Sequence, residues 1–385
     1  MASARLTRIR NAAPKSTVLS TLAQRRPPQD SQQCSIQQVS AEVEADLAAL
    51  VEQLGGRPGL VDQAMSQFIG AVVGRARAGG SNGTINIMVR FPLLVHAAEA
   101  GDPAAGKSAA LVHLLWWTAA RFLDDLADTS ASASAGTGPE TRQDAAAGNR
   151  GVLAAIAAGC HLPTRLFATA EVDDATRVHL MHEVSRCWLD GISGQLLDYA
   201  ARPADTTTDA VLDSYRGKTG APYAMASALA ARLAGADDHR TDRWREIGRQ
   251  LGVLRQLVND RKDLVTGRDE DLRNGTATYL LAYLVQSLAE PLRAQMLALH
   301  AAAATSPQAR SALRHHLLAP EVVDGYCRQV DAMVDDVHRA LDGLGGEPPY
   351  AAHLHALVDE SMDMFHLPGT PAASPATAGS GATRG

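Results

Sequence analysis

Two clusters of side-chain oxygens stand out in this chain. In Phe122-Leu-Asp-Asp-Leu-Ala-Asp128, the carboxylates of Asp124 and Asp128 lie one helical turn apart with Asp125 beside the first, so Asp124 and Asp128 share a helix face. Like charges at that spacing repel. The preceding run Leu111 to Trp117 is apolar, and a hard cation such as magnesium would relieve the repulsion by oxygen ligation. The same letters would also suit a helix end carrying surface acids, so the first cluster alone decides nothing.

The second cluster, in Gln256-Leu-Val-Asn-Asp-Arg-Lys-Asp263, places Gln256, Asp260 and Asp263 along one face, with Asn259 adjoining, in an apolar helix expected from near Ile247. Between the clusters lie Gly194-Gln195-Leu-Leu-Asp198 and then Lys218-Thr219, at the expected start of a helix. A diphosphate bridged by magnesium between two carboxylate faces, with a lysine for the remaining oxygens, uses all of these pieces.

Other chemistries find less support. Gly101-Asp-Pro-Ala-Ala-Gly106-Lys107-Ser108 satisfies the letters of a nucleotide phosphate loop, but such a loop links a buried strand to a helix. Here the preceding Leu93 to Ala100 has the pattern of a helix end, so a turn between helices is expected. No Ser/His/Asp or Cys/His arrangement suggests a nucleophile. His96 and His113 sit in apolar helices as packing residues. Tyr199, Arg216, Arg255, Arg261, Arg273 and Tyr279 are within range of a diphosphate or a carbocation only if the fold turns them inward, and a solvated or core role is the simpler expectation for each.

The elements that must hold these groups are helices. Of 385 residues only 4% are aromatic, alanine is abundant, and β-branched residues never gather into alternating runs. The fold class expected is all-α, with one domain over residues 40–367 and disordered tails over 1–39 and 368–385. Ser40 is the expected cap of the first helix. Breaks are expected at Gly79 to Gly83, Thr129 to Pro139 and Arg202 to Thr208. A net charge of -6 with signs interspersed offers no basic face for nucleic acid. Four scattered cysteines suggest neither disulfides nor zinc, which points to a reducing cytoplasm. No apolar run of roughly 18 residues is evident to span a membrane, and the basic, acid-free first 29 residues suit a tail or a transit peptide.

With these motifs in order, the chain from about Ser40 to Leu367 resembles the trans-prenyl diphosphate synthase family. The family's DDxxD maps onto Asp124, Asp125 and Asp128, its GQxxD onto Gly194, Gln195 and Asp198, its KT onto Lys218 and Thr219, and its second aspartate motif onto Asn259, Asp260 and Asp263. The resemblance implies a class I isoprenoid synthase helical bundle, Mg2+ as cofactor, an allylic diphosphate as substrate and a homodimer. It assigns the metal to Asp124, Asp125, Asp128, Asn259, Asp260 and Asp263, and the diphosphate to Gln195, Asp198, Lys218, Thr219 and Gln256.

This chain departs from the family where isopentenyl diphosphate would bind. The basic GGKxxRP segment aligns with Asn86 to Pro92, and its lysine has become Met88 and its arginine Phe91. The family's histidine or glutamine seven positions before the first aspartate is Trp117, the arginine pair after DDxxD is missing, and the late lysine is Thr276. Arg90 is the nearest remaining cation. Each lost charge-assisted hydrogen bond would cost roughly 1.5 to 3 kcal/mol, so elongation is not expected. A terpene synthase is expected instead, the alternatives being transfer of the prenyl chain to an uncharged acceptor such as an indole, or a conventional synthase. Ala119 and Ala120 align with the floor of the family's prenyl pocket, and their small size implies geranylgeranyl diphosphate or a longer chain.

Overall fold

A computed structural model describes residues 30–78, 82–133 and 142–362. Among them every regular element is helical. In chain order these are α1 (Asp30–Gly55), α2 (Leu60–Ala78), α3 (Asn82–Ala100), a 3₁₀ turn (Ala104–Gly106), α4 (Lys107–Ala133), α5 (Arg142–Ile156), a π turn (Ala157–His161), α6 (Leu162–Ala168) and α7 (Asp174–Ala200). There follow α8 (Thr208–Tyr215), a second π turn (Arg216–Gly220), α9 (Ala221–Leu233), α10 (Asp238–Thr266), α11 (Glu270–Asn274), α12 (Tyr279–Ser287), α13 (Leu292–Ala303), α14 (Pro307–Leu317), α15 (Pro320–Leu344) and α16 (Pro348–Met362).

The centre is α9, whose residues Ala221 to Ala231 are all buried. It packs against α3, α4, α7 and α10. Its alanines let neighbouring backbones come close, and glycines complete the approach. A Cβ on Gly252 would lie 2.4 Å from the Thr219 carbonyl oxygen, so any larger residue would force α10 away from the second π turn. Caps fix the starts of the long helices: Asp173 accepts from the Thr176 N–H at 2.9 Å and Asp237 from the Arg240 N–H at 2.7 Å. α10 ends at Gly267, whose φ of 71° favours glycine.

Several expected boundaries move. α1 begins at Asp30, ten residues before the expected domain start, because Ile36, Val39, Val43 and Leu47 continue one buried stripe. Ser40 therefore does not cap; its hydroxyl donates to the Ile36 carbonyl at 2.7 Å inside the helix. α10 starts at Asp238 rather than near Ile247, since Trp244 and Thr241 extend its buried face. The expected tails over 1–29 and 368–385 lie outside the described residues; of the first two expected breaks, Asn82 and Gly83 belong instead to α3 and Thr129 to Ala133 to α4, and the remainder lies outside them. Arg202 to Thr207 is a loop and Gly101 to Gly106 is the expected turn between helices. Lys107 there pairs with Glu42 at 3.2 Å and Asp46 at 3.6 Å.

One stretch runs against the sequence expectation. Gly148–Ala168 is long and apolar enough, by length and composition, to cross a membrane, with mean hydropathy 1.3. Arg165 within it pairs with Asp62 of α2 at 2.8 Å, and the Gly159 carbonyl accepts from the Trp188 indole of α7 at 3.0 Å. These polar ties dock it onto the rest of the bundle.

Candidate active site

The first aspartate cluster sits on α4. Its face at positions 113, 117, 120 and 124 advances by three and four residues, so His113, Trp117, Ala120 and Asp124 line one side of the helix. Asp125 points outward, its side chain 72% exposed, 4.0 Å from Arg121. The side chain of Asp128 falls outside the described ones.

α7 supplies the next groups. A Cβ on Gly194 would stand 2.4 Å from the Lys218 nitrogen, and one on Gly217 would stand 2.5 Å from Gly194 Cα. The two backbones therefore touch, which only glycine permits. This approach lets the Gln195 amide donate to Asp124 Oδ1 at 2.9 Å and the Lys218 ammonium donate to Asp198 Oδ2 at 2.6 Å. Lys218 and Thr219 belong to the second π turn rather than to a regular helix start, and such bulges re-aim side chains at functional sites. Burial disfavours the Lys218 charge, but Asp198, Asp124 and Asp260 outweigh it and hold the ammonium above its ordinary range.

From Lys218 the polar chain passes to α10. The Thr219 hydroxyl donates to Gln256 Oε1 at 2.6 Å, and the Gln256 amide donates to Asp260 Oδ1 at 2.8 Å. The Tyr215 hydroxyl donates to the other oxygen of Asp260 and accepts from the Tyr279 N–H at 3.1 Å. Asp260 is 3% exposed. Burial pushes its carboxyl up to about 7, although the bonds from Tyr215 and Gln256 and the charge of Lys218 pull the other way.

The remaining members divide. Asp263 is buried and accepts from Arg268 Nε at 2.7 Å and from the Asp271 N–H at 3.2 Å, so it also folds the loop behind it. Asn259 is exposed. Asp271 and Tyr215 were not among the residues the sequence singled out for the site. Burial, and then the charges of Asp260 and Asp263, push the Asp271 carboxyl well up. Its position eight residues past Asp263 follows no helical period across the turn at Gly267, and only the fold brings it back.

These groups are all oxygens, and burial disfavours the charged forms of the Asp260 and Asp271 carboxyls unless a cation sits beside them. That suits a hard divalent cation. Among the described residues no three carboxylate, imidazole or thiol groups converge to hold a metal by themselves.

The other end of the cleft is apolar. Met88 and Phe91 are 3% and 1% exposed. Phe91 packs on Tyr223 at 5.9 Å between ring centroids, and Trp117 meets the same ring edge-on at 6.3 Å. Arg90 is engaged by Glu360 at 2.8 Å. Of the two expected floor residues, Ala120 lies on the Asp124 face. Ala119 is fully buried on another face, where a Cβ on Gly159 would meet it at 2.7 Å. Ala119 is thus packed inside the bundle, and the nearby Trp116 ring lies tilted against Trp188 at 5.1 Å between centroids.

Comparisons with known proteins bear on this arrangement. A family model described as polyprenyl synthetase matches residues 107–315, more than half of the chain. A short chain isoprenyl diphosphate synthase of Methanocaldococcus jannaschii is 24% identical over 152 residues, which is 37% of this chain and 46% of that protein. The chain thus spans about half the length of the curated relative it matches, 46%. The geranylgeranyl pyrophosphate synthetase structure from Pyrococcus horikoshii matches with a TM-score of 0.66 at 17% identity, covering 85% of this chain and 98% of that one. The Corynebacterium glutamicum geranylgeranyl pyrophosphate synthase complexed with isoprenyl diphosphate and magnesium gives 0.67 at 18% identity, covering 86% and 98%. At such identities the likeness establishes the fold, an all-α isoprenoid synthase bundle.

Proposed function

This chain belongs to the polyprenyl synthetase family, and from that premise we propose that it is a class I isoprenoid enzyme. In this reading it ionises an allylic diphosphate with magnesium and acts as a terpene synthase. The supporting observation is the set of hydrogen bonds Asp124–Gln195, Lys218–Asp198 and Thr219–Gln256–Asp260, which gathers motif residues of three helices and one π turn into one polar network.

In this proposal Asp124, Asp125 and Asp128 on one side, and Asp260, Asp263, Asp271 and the Asn259 carbonyl on the other, would hold magnesium. When bound, magnesium supplies Lewis-acid stabilisation of the departing diphosphate. Lys218 turns part of its ammonium from Asp198 to the diphosphate oxygens. Gln195 and Gln256 keep Asp124 and Asp260 aimed at the cleft. The bond between the allylic carbon and oxygen breaks with its electron pair leaving on the diphosphate, and the positive charge left on carbon faces the ring of Trp117. Ala120, one turn before Asp124, leaves depth for a chain of geranylgeranyl length.

The apolar wall of Met88 and Phe91 and the engagement of Arg90 by Glu360 speak against isopentenyl diphosphate as second substrate. The test is incubation with magnesium and geranylgeranyl diphosphate, with and without isopentenyl diphosphate or indole. Release of diphosphate together with a hydrocarbon or terpene alcohol is expected from the allylic substrate alone. Efficient incorporation of labelled isopentenyl diphosphate into a longer chain would overturn the proposal. One observation favours transfer to an acceptor as the second reading: a guanidinium, that of Arg255, lies beside the Tyr223 hydroxyl at the aromatic wall, where it would oppose a migrating carbocation.

A homodimer is also proposed. α7 exposes Leu189, Ile192, Leu196 and Tyr199 at 66, 51, 61 and 56%. Their spacing of three, four and three residues makes one apolar stripe.

A further inference from the structure

Tyr215 is the last residue of α8 and is buried. Its hydroxyl has one proton to give, and its neighbours decide where that proton goes. The Tyr279 N–H belongs to the first turn of α12, where no carbonyl of the helix itself can receive it, and it donates to the Tyr215 oxygen at 3.1 Å. With the oxygen accepting on that side, the tyrosine proton is directed to Asp260 Oδ2. The positive end of the α12 dipole therefore lies behind the hydroxyl and strengthens it as a donor.

The other oxygen of the same carboxylate is held with equal definition. Gln256 offers its amide oxygen to the Thr219 hydroxyl at 2.6 Å, which leaves its nitrogen to face Asp260 Oδ1 at 2.8 Å. A carboxylate oxygen can accept more than one bond, so one donor on each still leaves capacity for a cation. Gln256 stands one turn before Asp260 on α10 itself, whereas Tyr215 ties the carboxylate directly to α8. Without the phenol, Asp260 would be held from one side and free to turn about its terminal bond.

We propose that Tyr215 is a positioning residue for Asp260, its hydroxyl setting the rotation of the carboxylate so that a divalent cation meets it already aligned. This inference rests on the ionisation reading given above, in which Asp260 holds magnesium. In this role Tyr215 touches neither the cation nor the diphosphate. It acts by preorganisation, because a ligand that must turn before it binds gives up affinity, and partners behind a metal ligand govern that affinity strongly.

The test is titration of manganese(II), a substitute for magnesium visible by electron paramagnetic resonance, into the full chain as wild type, Y215F and Y279F. Y279F removes the hydroxyl that donates to Gln329 but keeps the main-chain N–H, so it perturbs the same neighbourhood without touching Asp260. Y215F is expected to bind the ion about tenfold more weakly, and Y279F to match wild type. Diphosphate release by Y215F should recover when magnesium is raised by the same factor, a rescue that a merely structural defect would not show. If Y215F does not fold, wild type alone decides: magnesium should slow deuterium exchange at the Tyr279 amide, since fixing Asp260 also fixes the hydroxyl that receives this N–H. The proposal is overturned if Y215F binds manganese as tightly as wild type, if Y279F loses as much as Y215F, or if, in the absence of folded Y215F, exchange at Tyr279 ignores magnesium. A wild type that binds no manganese would overturn the ionisation reading along with this one, whereas normal binding by both wild type and Y215F would overturn only the role given to Tyr215.

Discussion

Asp260 carries the most consequential single-residue chemistry, because its carboxyl is buried, doubly hydrogen-bonded and still raised to about 7. An acid with a folded pKa above its unfolded value of 3.8 binds its proton more tightly in the native state. The unfolded chain therefore holds fewer protons between those values, and stability must fall as pH rises through that window. Metal-free protein is expected to melt at a lower temperature near pH 7.5 than near pH 5.5, and saturating magnesium should flatten the difference; calorimetric scans in chelator and in magnesium provide the comparison. Tyr215→Phe removes one donor to the same carboxylate and the acceptor for the Tyr279 N–H, and should cost about 1–3 kcal/mol in denaturant unfolding. Gln195→Leu leaves Asp124 without its 2.9 Å support. A loss of roughly 10–100-fold in magnesium affinity or turnover is expected, and unchanged magnesium titration curves would show that Asp124 does not hold the ion.

The same residues show how far the sequence alone reaches. Asp124, Gln195, Asp198, Lys218, Gln256 and Asp260 could be picked out because helical period and motif spacing are local properties, and the fold joins them in neighbouring hydrogen bonds. Asp271 and Tyr215 were not legible, since each reaches the site through a reversal of the chain, at Gly267 and at the second π turn, that no periodicity encodes. Arg255 was visible only as one of several arginines. What distinguishes it, its place beside the Tyr223 hydroxyl, is a property of packing.

Among the elements, α4 shows how adjacent residues can take unrelated roles. Ala119 and Ala120 are equivalent as letters, but a rotation of 100° separates them on the helix. Ala120→Phe should shorten the longest allylic diphosphate accepted while leaving the fold intact. Ala119→Phe should instead drive its ring into Gly159 and Trp188, costing about 1–3 kcal/mol of stability with little change in chain-length preference. Product chromatography from a series of prenyl diphosphates, set beside thermal melts of both variants, separates the two effects. Should both variants alter chain length equally, the facing assigned to α4 would be wrong. The early start of α1 belongs to this scale too: the sequence offers Ser40 as a plausible cap, but Ile36 and Val39 were already buried by tertiary packing, which overrides a local stop signal.

At the scale of the molecule, the bundle class was the most legible feature, because composition and helical period recur throughout the chain. Association is less so, since the α7 stripe is apolar on its outward face as well as its inward one. Leu189→Glu combined with Ile192→Glu should convert a dimer to a monomer in sedimentation velocity at micromolar concentration without altering the helical circular dichroism. A monomeric wild type would remove the proposed interface.

The burial of α9 on all sides has a consequence for motion. Its amide hydrogens have no route to solvent that spares α3, α4, α7 and α10, so they should exchange with deuterium only through global unfolding. A helix so enclosed cannot swing as a lid, and Lys218 and Thr219 at its leading end inherit that stillness. Any closing of the cleft around a substrate must then come from the periphery, with α9 acting as the fixed post against which the outer helices move.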